Sequence, residues 1–150
     1  MFAPGSTSAY ASSQWRKDKG ALWDVGPHAL SVLLPVLGDA TAVTAVPGPL
    51  DTVHLVLRHA GGASSTLALS LTTPVSGGGT GMELRGEAGT VHLPERGEGP
   101  IAAFHRALDA LATAARTGEP HPCSAAFGLR TVEILAAAER SLATGTAVEL

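Results

Sequence analysis

From Ala21 to Leu37 apolar residues recur at helical spacing, with Leu30, Leu33, Leu34 and Leu37 on one stripe, and Gly38 follows as a helix stop. Pro27 is comfortable only in a first turn, so the regular helix is predicted to begin near Trp23 or Asp24. Pro35 is expected to loosen its last turn. Residues 1–19 carry no hydrophobic period and read as an irregular segment ahead of a domain spanning 20–150. The period then changes to two. Val53, Leu55 and Leu57 alternate with His54, Val56 and Arg58, and Leu67, Leu69 and Leu71 alternate with Ala68, Ser70 and Thr72, with Gly61-Gly62 marking the reversal between them. A weaker strand, Thr41–Val46, precedes the pair and ends at Pro47-Gly48-Pro49. Beyond the glycine run at 77–79, Met82–Gly86 and Thr90–Leu93 read as a hairpin around Glu87-Ala88-Gly89.

The last third returns to helical spacing. One stripe is Ile101, Phe104, Leu108, Leu111 and Ala115, closed by Gly118 and Pro120. The other is Phe127, Thr131, Ile134, Leu135, Ala138 and Leu142, capped by Ser124 and stopped by Gly145, with a short strand at 147–150. Helix, strands, two helices and a strand predict an α+β fold: a mostly antiparallel sheet with helices packed on one face and the other face left small and polar.

Composition narrows the class. The 150 residues are 45% hydrophobic and 15% charged, with only three Phe, two Trp and one Tyr, so Ala, Leu and Val must do most of the packing. A net charge of −3 without a Lys/Arg cluster offers nucleic acid or an anionic membrane no footprint. Cys123 is the single cysteine, which rules out an intrachain disulfide and a cysteine metal cluster and suits a reducing compartment. The longest apolar run, Ala29–Leu37, is too short to span a bilayer, and the first residues lack the order of a signal peptide. A cytoplasmic protein is expected.

Asp24 and His28 stand four apart, so on a helix both rise from one face, where a carboxylate can fix an imidazole's tautomer and raise its basicity. Spacing alone favours a plainer reading, with Asp24 as a helix cap and His28 beside it. As metal ligands the two would need a third partner that the sequence does not identify. Trp15, Arg16 and Lys17 combine an aromatic ring with cations, which suits a sugar-like or carboxylated ligand; an exposed basic turn anchored by Trp is equally consistent. His54 and His59 lie five apart in a strand and so point to opposite faces. His92, His105 and His121 read as surface or packing residues, and Cys123 as structural. The loop at 77–81 joins strands and opens no helix, so a phosphate cradle is not expected there.

The neighbours of the pair change the balance. Gly20-Ala21-Leu22-Trp23-Asp24-Val25-Gly26-Pro27-His28 resembles the G-G-x-L-x-D-x-G-x-H signature that opens a helix in the second domain of the glucose–fructose oxidoreductase/inositol dehydrogenase (Gfo/Idh/MocA) family. Arg85-Gly86-Glu87-Ala88-Gly89-Thr90 is similar to that family's G-x-x-G-[ST] hairpin, and Gly128-Leu129-Arg130 through Ser141, Thr144 and Gly145 is similar to its closing segment. Two positions depart from the pattern: Lys19 stands where the signature has its leading Gly, and Ser31 where an Asp is frequent.

The resemblance implies a catalytic role for Asp24 and His28, with His28 exchanging the substrate hydroxyl proton and Asp24 orienting and polarising the site. It places Trp15, Arg16 and Lys17 in a loop near the substrate. It further implies an NAD(P) cofactor on an N-terminal Rossmann domain and a homodimer through the open sheet face. This sequence shows no G-x-G-x-x-G after a strand and no Glu-Lys-Pro, so the Rossmann domain is expected elsewhere on the full-length protein or on a separate chain. Two functions follow. One is the substrate-side domain of an NAD(P)-dependent oxidoreductase for a sugar, polyol or related hydroxy compound, inactive by itself; the other is a non-enzymatic dimerisation or small-ligand-binding module that keeps the fold.

Overall fold

The structure is a computed structural model that describes residues 13–94 and 99–150. The first twelve residues of the expected irregular segment lie outside the described residues. The chain divides into two compact units: one takes the residues up to Pro74 together with Ala125–Leu150, the other Val75–Ser124.

In the first unit, α1 (Gln14–Leu37) leads into β1 (Ala40–Pro47), β2 (Val53–His59) and β3 (Ser64–Leu69), and α2 (Ala125–Thr144) leads into β4 (Val148–Glu149), which pairs with β1. The sheet runs β3-β2-β1-β4 with every pairing antiparallel. Strict alternation in β2 buries Val53, Leu55, Leu57 and His59 and turns His54, Val56 and Arg58 outward. The inner face meets Leu30, Leu33 and Leu34 of α1 and Ile134, Leu135 and Ala138 of α2 in one core. Helices on one face and an open opposite face match the α+β expectation.

Local chemistry explains the joints. Ser141, fully buried, donates to the Thr146 carbonyl at 2.6 Å and accepts from the Ala45 amide at 2.9 Å, so one hydroxyl ties the end of α2 to β1. Because β4 pairs only with Ala42 and Val43, that hydroxyl covers an amide the short strand does not reach. Arg130 donates to the Ala40 carbonyl at 2.6 Å and pairs with Asp39 and Glu133; the bond to Asp39 and then the one to Glu133, against burial, hold its guanidinium above its ordinary range. His59 is buried between the Gly38 carbonyl at 2.8 Å and the Ser65 hydroxyl at 2.9 Å, so both ring nitrogens are satisfied.

Three expectations are corrected. Helix α1 begins at Gln14, ahead of the start expected near Trp23, because the Ser13 hydroxyl caps it by accepting the Arg16 amide at 3.4 Å. Residues 14–19, read as irregular, are therefore helical, and the chain turns at Gly20 (φ 63°, ψ −166°) before the helix resumes. The strand expected to continue through Leu71 and Thr72 ends at Leu69. There the Asp51 carboxylate draws the chain aside, accepting from the Ser70 hydroxyl at 3.0 Å, from the amides of Leu71 at 2.9 Å and Thr72 at 3.2 Å, and from the Thr72 hydroxyl. Thr72 is thus buried and does not belong to the open face.

In the second unit, β5 (Glu83–Gly86) and β6 (Gly89–His92) form a two-stranded sheet of their own around the Glu87-Ala88 turn. Helix α3 (Pro100–Thr117) starts after Gly99 and ends at a left-handed Gly118. No residue of α3 is buried, and Ile101, Phe104, Leu108 and Leu111 are exposed, contrary to the packed stripe expected. Periodicity shows that a helix has an apolar face; it does not say what covers that face.

By length and composition α1 could cross a membrane, with a hydropathy of 1.3 over its most apolar window. One third of that window is buried (33%), where Leu30, Leu33 and Leu34 pack toward the sheet and α2.

Candidate functional site

The segment Gly20–His28 separates cleanly into residues that packing requires and residues that it does not. Gly20 adopts a positive φ with extended ψ, a conformation that essentially only glycine tolerates. Leu22 is buried in the core. At Gly26 α1 comes close to α2, since a Cβ there would lie 2.8 Å from Leu135 Cδ2. Trp23 donates from its indole nitrogen to Glu139 at 2.6 Å, and Lys19 lies 5.2 Å above its ring and 3.6 Å from the same carboxylate. Lys19, which replaces the signature's leading glycine, is thereby held by α2.

Asp24 and His28 remain after packing has been accounted for. His28 is exposed and Asp24 is part-buried, one turn apart on α1. No hydrogen bond joins their side chains among the described residues; the Asp24 Oδ1 atom instead pairs with Arg16 Nη2 at 3.0 Å. The Arg16 and Asp24 side chains are 24% and 15% exposed, sheltered enough for the pair to set an orientation. Of the residues expected at the substrate, Arg16 is thus brought to Asp24, while Trp15 and Lys17 stand exposed on the same short helical segment.

Sequence reasoning missed Asp51 and Glu139. Asp51 sits beside the bend, its Cβ 3.7 Å from where a Gly20 side chain would begin. Burial pushes its carboxyl up, but the bonds from Thr72, Leu71 and Ser70 together outweigh burial and hold it below its ordinary value. No sequence signal ties Asp51 to residues about twenty positions away. Glu139 lies on the solvent side of the last helical stripe, where a charge ordinarily signals nothing.

Among the described residues no three His, Cys, Asp or Glu side chains converge as metal ligands. His54 is exposed and His59 buried, on opposite faces as expected. A groove of about 380 Å³ runs beside the C-terminal half of α3, lined by Asp109, Thr113, Glu119 and His121, and holds none of the signature residues. The described residues do not fit a dinucleotide. Helix α2 does not follow a strand, and the Ser13 hydroxyl already caps α1.

The profile of the GFO/IDH/MocA C-terminal domain family matches residues 2–92, more than half of the chain. No curated protein matches it in sequence. Among solved structures, a myo-inositol dehydrogenase from Corynebacterium glutamicum superposes with a TM-score of 0.74 at 19% identity, over 87% of this chain and 49% of that one. An oxidoreductase from Agrobacterium radiobacter, in complex with NAD+, L-tartaric acid and magnesium, gives 0.70 at 19% identity, over 99% of this chain and 54% of that one. An aldose-aldose oxidoreductase from Caulobacter crescentus complexed with glycerol gives 0.69 at 20% identity, over 92% and 51%. At these identities the likeness is one of fold, and the chain spans about half the length of the structures it matches.

Proposed function

The chain belongs to the GFO/IDH/MocA C-terminal domain family, and from that premise we propose that it is the substrate-side half of an NAD(P)-dependent oxidoreductase acting on a sugar, polyol or related hydroxy compound. The observation that carries this is what the signature leaves over: Gly20, Leu22 and Gly26 answer to backbone and packing, whereas His28 is exposed and Asp24, part-buried against Arg16, belongs to no core. A ring nitrogen of His28 accepts the substrate hydroxyl proton, and Asp24 orients and polarises the hydroxyl. Trp15 and Lys17 offer a ring face and a cation to the same ligand. A nicotinamide held by a Rossmann domain, on the full-length protein or a separate chain, supplies the hydride acceptor. By itself this chain binds the polyol and does not turn it over.

The test is to titrate the labelled chain with myo-inositol and with an aldose while following Asp24, His28 and Trp15 by NMR, alongside an absorbance assay with NAD+ and NADP+. Shifts confined to these residues, with no dinucleotide reduction, are expected. An unresponsive site overturns the assignment, and turnover by the pure chain overturns the dependence on a second domain.

A second copy is the proposed partner, in a cytoplasmic setting that suits the single cysteine. The open sheet face supports this reading, because Val46 and Val56 lie exposed on it at 55% and 47%. The same face is what a non-enzymatic dimerisation module would keep. Polyol-induced shifts at His28 distinguish the enzyme half from that module.

A further inference from the structure

Asp24 has two ways to spend its carboxylate. His28 lies one turn along the same helix, the spacing at which side chains meet. Arg16 lies eight residues back, where an unbroken helix would put it about 12 Å away along the axis. The carboxylate nevertheless takes Arg16, at 3.0 Å, and leaves His28. Two features make that outcome available. The chain bends at Gly20, which re-aims the 14–19 segment toward the following turn. Asp24 and Arg16 are also both partly sheltered, whereas His28 is exposed to water that competes for it. A permanently charged guanidinium in a sheltered pair outbids a solvated imidazole.

We propose that Arg16 is a positioning residue for Asp24: through the Gly20 bend it holds Oδ1, sets the rotamer of the carboxylate and keeps that carboxylate off His28. The imidazole is thereby left to the substrate hydroxyl. This rests on the reading of Asp24 and His28 as the reactive pair, and it gives Arg16 a task distinct from the ligand contact that its neighbours Trp15 and Lys17 offer. The bend, the Ser13 cap and the ion pair then act as one device. The cap starts the short helix, the glycine turns it, and the guanidinium delivers the orientation.

The experiment measures three-bond couplings about the Asp24 side chain in the labelled 150-residue chain, in wild type, Arg16→Gln and Arg16→Lys, with myo-inositol titrations of each. A single Asp24 rotamer is expected in wild type, averaging between rotamers in Arg16→Gln, and partial recovery in Arg16→Lys, which keeps the charge without the planar fork. The polyol affinity falls about three- to tenfold in Arg16→Gln, the equivalent of one lost hydrogen bond, and recovers in part in Arg16→Lys. Should Arg16→Gln fail to fold, Asp24→Asn reads the pair from the other side through loss of exchange protection at the Arg16 side-chain N–H groups. An Asp24 rotamer indifferent to Arg16, or an Arg16 signal indifferent to Asp24, overturns the proposal. A wild-type chain whose His28 ignores the polyol sinks the site reading instead, which the couplings do not depend on.

Discussion

Replacing Gly20 by alanine sets a backbone requirement against an ordinary helix preference, and the structure predicts which prevails. At φ 63° and ψ −166° the residue occupies a region that side chains avoid at a cost of about 1–3 kcal/mol. The added methyl meets nothing worse than Asp51 Cβ at 3.7 Å, an ordinary contact, so the whole penalty is conformational. Alanine also narrows the unfolded ensemble, but that gain of up to about 1 kcal/mol requires a native conformation alanine can adopt. The expected loss is about 2 kcal/mol, which for a chain of this length lowers the melting temperature by about 4–8 °C. Gly128 supplies the control. It lies in α2 without a positive φ and with nothing within 4 Å of a built Cβ, so Gly128→Ala is expected to stabilise by up to about 1 kcal/mol. Urea and thermal denaturation of both variants measure the two signs. A Gly20→Ala protein as stable as wild type, with Arg16 still on Asp24, would refute the claim that this glycine is required for its backbone.

Asp51→Asn exchanges an ionised acceptor for an amide among four donor groups and is expected to cost about 2 kcal/mol at neutral pH. Because the folded carboxyl lies below its ordinary value of 3.8, its contribution is complete above that value and is lost as pH falls through the folded pKa. The difference between wild type and Asn in urea titrations should therefore close in acid, and a gap that widens there would contradict the argument. Ser141→Ala strands the buried Ala45 amide and removes the part-buried bond to the Thr146 carbonyl, for an expected loss of about 1–3 kcal/mol by chemical denaturation. A loss within about 0.5 kcal/mol would show that both groups find other partners.

Most helices and strands were legible in the chain alone, because the period of burial is a local property. The alternation over 53–59, the Gly61-Gly62 reversal, the helix over 125–144 and its short following strand are all legible in this way. The family markers were legible too, and the structure gives several of them a physical meaning. Gly26 admits Leu135, Ser141 joins α2 to β1, and Gly145 ends α2 at a positive φ of 69°.

Tertiary structure decided the partners. Period could not show that α1 begins at Gln14, since that start depends on a Ser13 cap and a bend that glycine permits but does not announce. It could not show that β3 stops at Leu69, since Asp51 arrives from a different turn. The apolar stripe of α3 was visible, but its exposure was not. Spacing suggested that Asp24 would meet His28; the sheltered guanidinium of Arg16, brought near by the change of direction at Gly20, won the carboxylate instead. Sequence reports which residues share a face, whereas competition among partners for one charged group is settled only where distance and solvent exposure are set together.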